Sequence, residues 1–191
     1  MNDALQRLID KDDIRDLMAR YARGLDRADW DIVRGTYHAD AYDDHGDFKG
    51  GVEEFIAYAR EKLSTASQVM HFLGSCLIEF ASRDVAIVET YFFTAHTLGP
   101  EAQKAYGAEN TGGPVQISQY GRYVDRAERR NGVWRTARRI VIFESTRLAL
   151  GEVPPIKSNW AHHHRDQNDP IFRMRAEAGI DHHGIDAVAI I

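Results

Sequence analysis

A single cysteine in 191 residues, Cys76, excludes an internal disulfide. It lies in the apolar stretch Leu73-Gly-Ser-Cys-Leu-Ile-Glu-Phe80, which reads as a buried, inert thiol rather than a nucleophile. No run of about 18 apolar residues occurs, so no membrane span is expected. Basic residues are not in excess. The formal charge is −5 and the pI about 6.0, which argues against a nucleic-acid partner, whose binding needs a basic face. No glycine-rich phosphate loop is present, and no spacing of His and Cys suits a zinc site. The N-terminal stretch Met1–Asp13 is acidic and amphipathic and lacks a signal-peptide core, so a soluble cytoplasmic protein is expected.

What is there is enough for one packed domain. Hydrophobic residues make up 43% of the chain, an ordinary soluble fraction, and the length allows a real core. Ile14, Leu17, Met18, Tyr21 and Leu25 recur at three and four, the period of one helical face. Asp10 is a candidate N-cap and Gly24 a candidate end. A short second helix follows, with Asp29 as cap before Trp30, Ile32, Val33 and Tyr37. Residues 38–51, rich in Asp and Gly, have room for one short strand. Val52, Phe55, Ile56 and the stretch 58–63 predict a third helix.

From Gln68 the period becomes two. Residues 68–80 and 85–97 predict strands joined by a turn at Ser82-Arg83-Asp84. Residues 99–114 read as a loop. Residues 115–129 and 133–144 flank Asn131-Gly132, a strong hairpin signal. Helices followed by a strand meander predict an α+β fold. The domain is assigned to residues 1–150. Residues 151–191, opened by Val153-Pro154-Pro155, are too poor in apolar residues for a second domain. They read as an extension that wraps the domain or a neighbouring subunit, with a helical piece near 171–178.

Chemistry concentrates in two segments. Asp26 falls near the end of the first helix, where a carboxylate is either a solvated helix-end charge or a pocket residue. His71 lies between apolar neighbours on a strand, as a packed residue or as a base. The run Tyr21-Ala-Arg-Gly-Leu-Asp26-Arg-Ala-Asp-Trp30-Asp31, then Phe48-Lys49-Gly50, the strand His71 and Asn131-Gly-Val-Trp134 resembles the SnoaL-like branch of the NTF2-like superfamily over residues 3–145. That branch includes scytalone dehydratase, hexachlorocyclohexane dehydrochlorinase, bile-acid 7α-dehydratase and sphingomonad lyases that deformylate diarylpropanes.

The resemblance implies a cone of three N-terminal helices on a curved antiparallel sheet, and a cofactor-free lyase of a small aromatic or alicyclic alcohol. It also implies a homo-oligomer, with a trimer preferred. His71 matches the general base, Asp26 the carboxylate that orients it, and Tyr21 a tyrosine five residues before that carboxylate. Thr94 stands where a relative carries a second acid. His45, His96, Tyr91, Tyr120 and Arg138 complete the candidate substrate contacts. Parity along the strand leaves open whether Arg138 or Arg139 points inward to bind a phenolate or carboxylate. His162-His163-His164 makes a poor metal site, because adjacent extended residues face opposite ways; His182-His183 is a weaker one. A non-catalytic ligand-binding protein and the small subunit of a ring-hydroxylating dioxygenase, which has the same fold, are the alternatives. The Asp–His pair separates them, since a structural subunit has no use for it.

Overall fold

The computed structural model describes residues 3–108, 112–151 and 156–180. Val153-Pro154-Pro155 and the His182-His183 pair lie outside them. The elements run α1 (Asp3–Arg27), α2 (Trp30–Gly35), β1 (Tyr37–Asp44), β2 (Lys49–Gly51), α3 (Val52–Leu63), β3 (Gln68–Phe80), β4 (Val85–Leu98), α4 (Pro100–Ala105), β5 (Val115–Arg130), β6 (Val133–Leu150) and α5 (Pro170–Glu177). Six strands form one sheet in the order β2-β1-β6-β5-β4-β3. Neighbours pair antiparallel except β1 and β6, which run parallel. The first three helices cover one face of the sheet. Tyr21, Leu25, Val33, Phe55, Phe92, Tyr123 and Val141 close the core between them.

Asp10 is not a cap. α1 spans Asp3–Arg27, and Asp10 is buried within it. There its carboxylate accepts hydrogen bonds from Arg129 Nη1 (2.8 Å) and Trp134 Nε1 (3.1 Å), tying the helix to the β5–β6 hairpin. Gly24 does not end the helix either. A Cβ there would meet Val33 Cγ2 at 2.7 Å, so glycine lets α2 pack against α1. The helix ends three residues later. Ala28 takes a left-handed φ of 53°, and the Asp29 and Ala28 amides donate back to the Gly24 and Leu25 carbonyls. That is a Schellman ending. Asp29 then caps α2, its carboxylate accepting from the Ile32 amide (3.2 Å).

The region after α2 holds two strands where room for one was expected. β1 buries Tyr37, Ala41 and Asp43 and pairs with both β2 and β6. The expected loop 99–114 contains the short helix α4, started by a proline in its first turn. The hairpin of β5 and β6 turns at Asn131 and Gly132, both at positive φ, as the sequence pair requires.

Three extra residues in β3 and β6 decide which of their side chains face the helices. In β3, two residues between Leu73 and Cys76 oppose one on β4. In β6, Thr136 pairs with Ala127 but Arg138 with Arg126, leaving Ala137 as an extra residue. A third extra residue, Glu144, lies opposite the Tyr120–Gly121 step. Each bulge reverses the in–out alternation of its strand. Thus Trp134 and Thr136 are buried at even positions, while Arg139 and Val141 are buried at odd ones.

The segment 156–180 packs back onto its own domain. The Arg165 guanidinium donates to the carbonyls of Leu63 (2.6 Å), Ala66 (3.2 Å), Asp26 (3.3 Å) and Leu25 (3.4 Å). It thereby serves the C-terminal ends of α1 and α3 together, where carbonyls lack helical partners. Arg27 pairs with Asp169 (3.1 Å), and Phe172 is buried.

Candidate active site

α1 delivers Asp26 in its last turn, next to the edge strand β3. Asp26 Oδ1 lies 2.7 Å from His71 Nδ1. Its other oxygen accepts the His71 backbone N–H at 3.1 Å. That amide faces the free edge of the sheet, so the carboxylate also satisfies a donor that no strand reaches. The helix dipole disfavours an anion at a C-terminus. Two donors from His71 and the neighbouring Arg165 guanidinium offset that. The dyad is largely enclosed, with side-chain exposures of 7% for His71 and 10% for Asp26. A carboxylate only accepts, so Nδ1 carries a proton, and in the neutral ring the lone pair is then on Nε2.

His71 lines a cavity between the helices and the sheet, with Leu25, Phe55, Phe92, Tyr123, Val141 and Phe143 as its apolar walls. The cavity holds about 70 Å³. That is under half of the ~150 Å³ that takes up benzene in an engineered core. A ring-sized ligand must therefore extend through the open side or displace side chains. A second cleft, lined by Ala22, Arg23, Asp169 and Ile171, reaches the dyad from the α1–α5 side.

His45, Thr94 and His96 line the same cavity as His71. His96 is centred 5.6 Å from His71. Burial, then the nearby His71, Arg165 and Lys62, pushes its pKa down to about 3, so it is neutral at pH 7. His96 Nε2 and Thr94 Oγ1 are buried without a hydrogen-bond partner, polar atoms that a ligand would satisfy.

His45 has a carboxylate of its own. Its Nδ1 sits 2.5 Å from Asp43 Oδ1, and its ring stacks on Phe55 at 4.7 Å. Asp43 is wholly buried and also accepts from the Tyr37 hydroxyl at 2.6 Å. Tyr37 in turn accepts from Arg139 Nη1 at 3.3 Å. Arg139 makes a two-pronged pair with Asp125, both bonds 2.7 Å and both residues essentially unexposed. Burial raises the Asp125 pKa, and the Arg139 charge opposes that rise.

The remaining candidates lie elsewhere. Tyr21 is buried behind the cavity rather than lining it. Its ring lies under the Arg139 guanidinium at 3.9 Å, and burial pushes its phenol well above the ordinary pKa. Tyr91 and Tyr120 are 47% and 39% exposed on the outer face of the sheet. Arg138 is exposed too, because the extra residue at Ala137 turns Arg139 inward instead. Arg139 is occupied by Asp125 and does not line the cavity. Composition alone did not single out Lys62, Tyr58, Tyr106 and Gln119, which do line it. A signal existed for the first two: Tyr58 and Lys62 stand four apart on the helical face of Phe55, Ala59 and Leu63.

Among the described residues, no three His, Cys, Asp or Glu side chains are grouped to hold a metal ion. His162 and His163 place ring nitrogens on the carbonyls of Lys157 and Ser67 instead. No helix among these residues is long and apolar enough to cross a membrane.

A family model for the SnoaL-like domain matches residues 6–140. The chain belongs to the SnoaL-like family. Solved structures share its α+β fold. The chain is 20% identical to hexachlorocyclohexane dehydrochlorinase LinA-type3 from Novosphingobium barchaimii LL02, with a TM-score of 0.66 over 80% of this chain and 99% of that one. A candidate scytalone dehydratase from Novosphingobium aromaticivorans DSM 12444 is 18% identical, with a TM-score of 0.63 over 79% and 93% of the two chains. A candidate aromatic ring hydroxylase from a Novosphingobium aromaticivorans strain is 21% identical, with a TM-score of 0.62 over 75% and 94%. No curated protein matches the chain.

Proposed function

We propose that this SnoaL-like protein is a cofactor-free lyase acting on a small aromatic or alicyclic alcohol. It would eliminate water, or release formaldehyde from a lignin-derived diarylpropane. The observation that carries this reading is the 2.7 Å Asp26–His71 pair on the wall of an apolar cavity. A neutral imidazole takes a proton near pH 7, and a carboxylate on its other nitrogen fixes the tautomer and stabilises the imidazolium. Exclusion of water strengthens both effects.

In a dehydration, His71 Nε2 takes a proton from carbon, that electron pair forms the double bond, and the β-hydroxyl leaves. In a deformylation, His71 takes the proton of a primary alcohol. The carbon–carbon bond then breaks to give formaldehyde, and its electron pair forms the double bond as the benzylic hydroxyl leaves. In either case the departing oxygen needs a proton, and His45 would give it from Nε2 as the imidazolium, with Asp43 on Nδ1 as its counter-ion. Thr94 and His96 orient the substrate through their unpaired polar atoms.

The test is a panel of 1,2-diarylpropane-1,3-diols, β-hydroxy aryl ketones and halogenated cyclohexanes. Formation of the conjugated double bond is followed by absorbance, with formaldehyde and chloride measured alongside. Turnover in metal-free buffer with chelator supports the proposal. Ligand binding without product across the panel would favour a non-catalytic binding protein.

A further inference from the structure

The cavity contains a positive charge that the proton-transfer chemistry does not use. Lys62, in the last turn of α3, reaches the cavity from the face it shares with Tyr58 and Leu63. It is partly buried. Its ammonium donates to the Tyr58 hydroxyl at 2.9 Å and lies 5.7 Å from the centre of the Tyr106 ring. No carboxylate among the described residues pairs with it, and none of the side chains lining the cavity is acidic. Asp26 and Asp43 stand behind their histidines and are committed to them.

A half-buried ammonium with no anion beside it is a ready partner for one, since a hydrogen bond between charged groups is stronger than one to a neutral hydroxyl. Burial is the largest single influence and works against the Lys62 charge, but the interactions with Tyr58 and Tyr106 together outweigh it, so its pKa lies above the ordinary lysine value. The ammonium is therefore a permanent charge at neutral pH, and its field is felt as far as His96. Around it the tyrosines and phenylalanines offer flat apolar walls. Tyr58 stacks on Phe48 at 5.2 Å, and Phe92 stacks on Tyr123 at 4.5 Å.

We infer that Lys62, Tyr58 and Tyr106 form an anion subsite, and that the substrate carries an anionic oxygen on its ring, as a phenolate or an aryl carboxylate. The charge anchors one end of the molecule at α3 while the reacting carbon lies toward His71. This rests on the assignment of the cavity as the substrate site. It also explains why the inward arginine expected for such an anion is not needed, since Arg139 is spent on Asp125.

Binding alone tests it, with three probes of one shape: 4-nitrophenolate, 4-nitrobenzoate and the neutral 4-nitroanisole. Dissociation constants are measured by calorimetry at a pH where the first two are ionised. At least one anion should bind about tenfold or more tightly than the anisole, since a hydrogen bond to a charged group is stronger than one between neutral groups. Which anion gains identifies phenolate or carboxylate as the source. Lys62→Met should erase the preference, Lys62→Arg should keep most of it, and His71→Ala should leave it intact. Equal binding of all three probes overturns the anion subsite alone, as does a preference that survives in Lys62→Met. Binding by none of them overturns the cavity assignment with it. Failure of the lyase proposal is seen separately, as absence of turnover with the anion preference retained.

Discussion

Replacing Arg139 by Met tests the internal scaffold of the site. Arg139 and Asp125 are fully buried and joined by two 2.7 Å hydrogen bonds, and the guanidinium also lies over Tyr21 and Tyr123 at 3.9 and 4.4 Å. Met fills much of the volume but leaves the Asp125 carboxylate without its countercharge. Removing one partner of such a pair costs about 3–5 kcal/mol. At roughly 2–4 °C per kcal/mol for a chain of this size, melting should fall by about 10 °C. The loss should depend on pH with a definite sign. Burial already raises the Asp125 pKa, and without Arg139 it rises further. The folded variant then binds a proton that the unfolded chain releases, so its stability falls as pH rises above the unfolded carboxylate range. Urea denaturation at pH 5 and pH 8 should show the larger deficit at pH 8. The double variant Arg139→Met/Asp125→Leu should recover most of the loss at both. A deficit under ~1 kcal/mol, an equal deficit at the two pH values, or a double variant no better than the single one would refute the argument.

The other expectations concern separate parts of the molecule. His96 is buried neutral with its pKa lowered to about 3, so the unfolded chain binds a proton that the folded one does not between pH 6.5 and 3. Its contribution is intact above pH 6.5 and falls by at most about 1.4 kcal/mol per unit below it; His96→Phe should flatten that slope in acid denaturation. Arg165→Ala should lower the melting temperature by several degrees and weaken the hold on Asp26, seen as faster amide exchange of His71; unchanged exchange would contradict it. The chain should be a homo-oligomer, preferably a trimer, through the outer sheet face where Phe72, Tyr91 and Tyr120 are exposed. A monomer by light scattering at micromolar concentration would contradict this.

Much of the fold was legible because the periods were clean. The period-two stretches mark β3, β4 and the β5–β6 pair to within a few residues, apart from the far end of β6, and Asn131-Gly132 marks their turn. What stayed hidden was non-local. Asp10 looks like a cap until Trp134 and Arg129 arrive from 120 or so positions away in the chain. Gly24 looks like a stop until Val33 packs on it. β1 is acidic, but it becomes a strand by pairing on both sides and by burying Asp43 against Tyr37. The site follows the same division. Asp26 and His71 were singled out by resemblance to a motif and not by any property of either residue alone. Arg138 was misplaced because in–out parity does not survive a bulge, and bulges leave little trace in a single sequence. Tyr91 and Tyr120 lie on β4 and β5, which keep continuous register with each other, and face outward because they alternate with the inward Thr94 and Tyr123. Lys62 was missed because a lysine on an amphipathic helix normally belongs to the solvent side. Here four apolar or aromatic neighbours on its own face bring it to the cavity.

The dyad is tested most directly by the kinetics of His71→Ala on whichever panel compound is turned over. A base acts on a proton that moves only in the transition state. Its removal should lower kcat by on the order of 100-fold or more while KM changes by no more than about threefold. Asp26→Asn should also lose activity, and the two losses should not add. A His71→Ala protein with near wild-type kcat would contradict the account and move the base to His45 or His96.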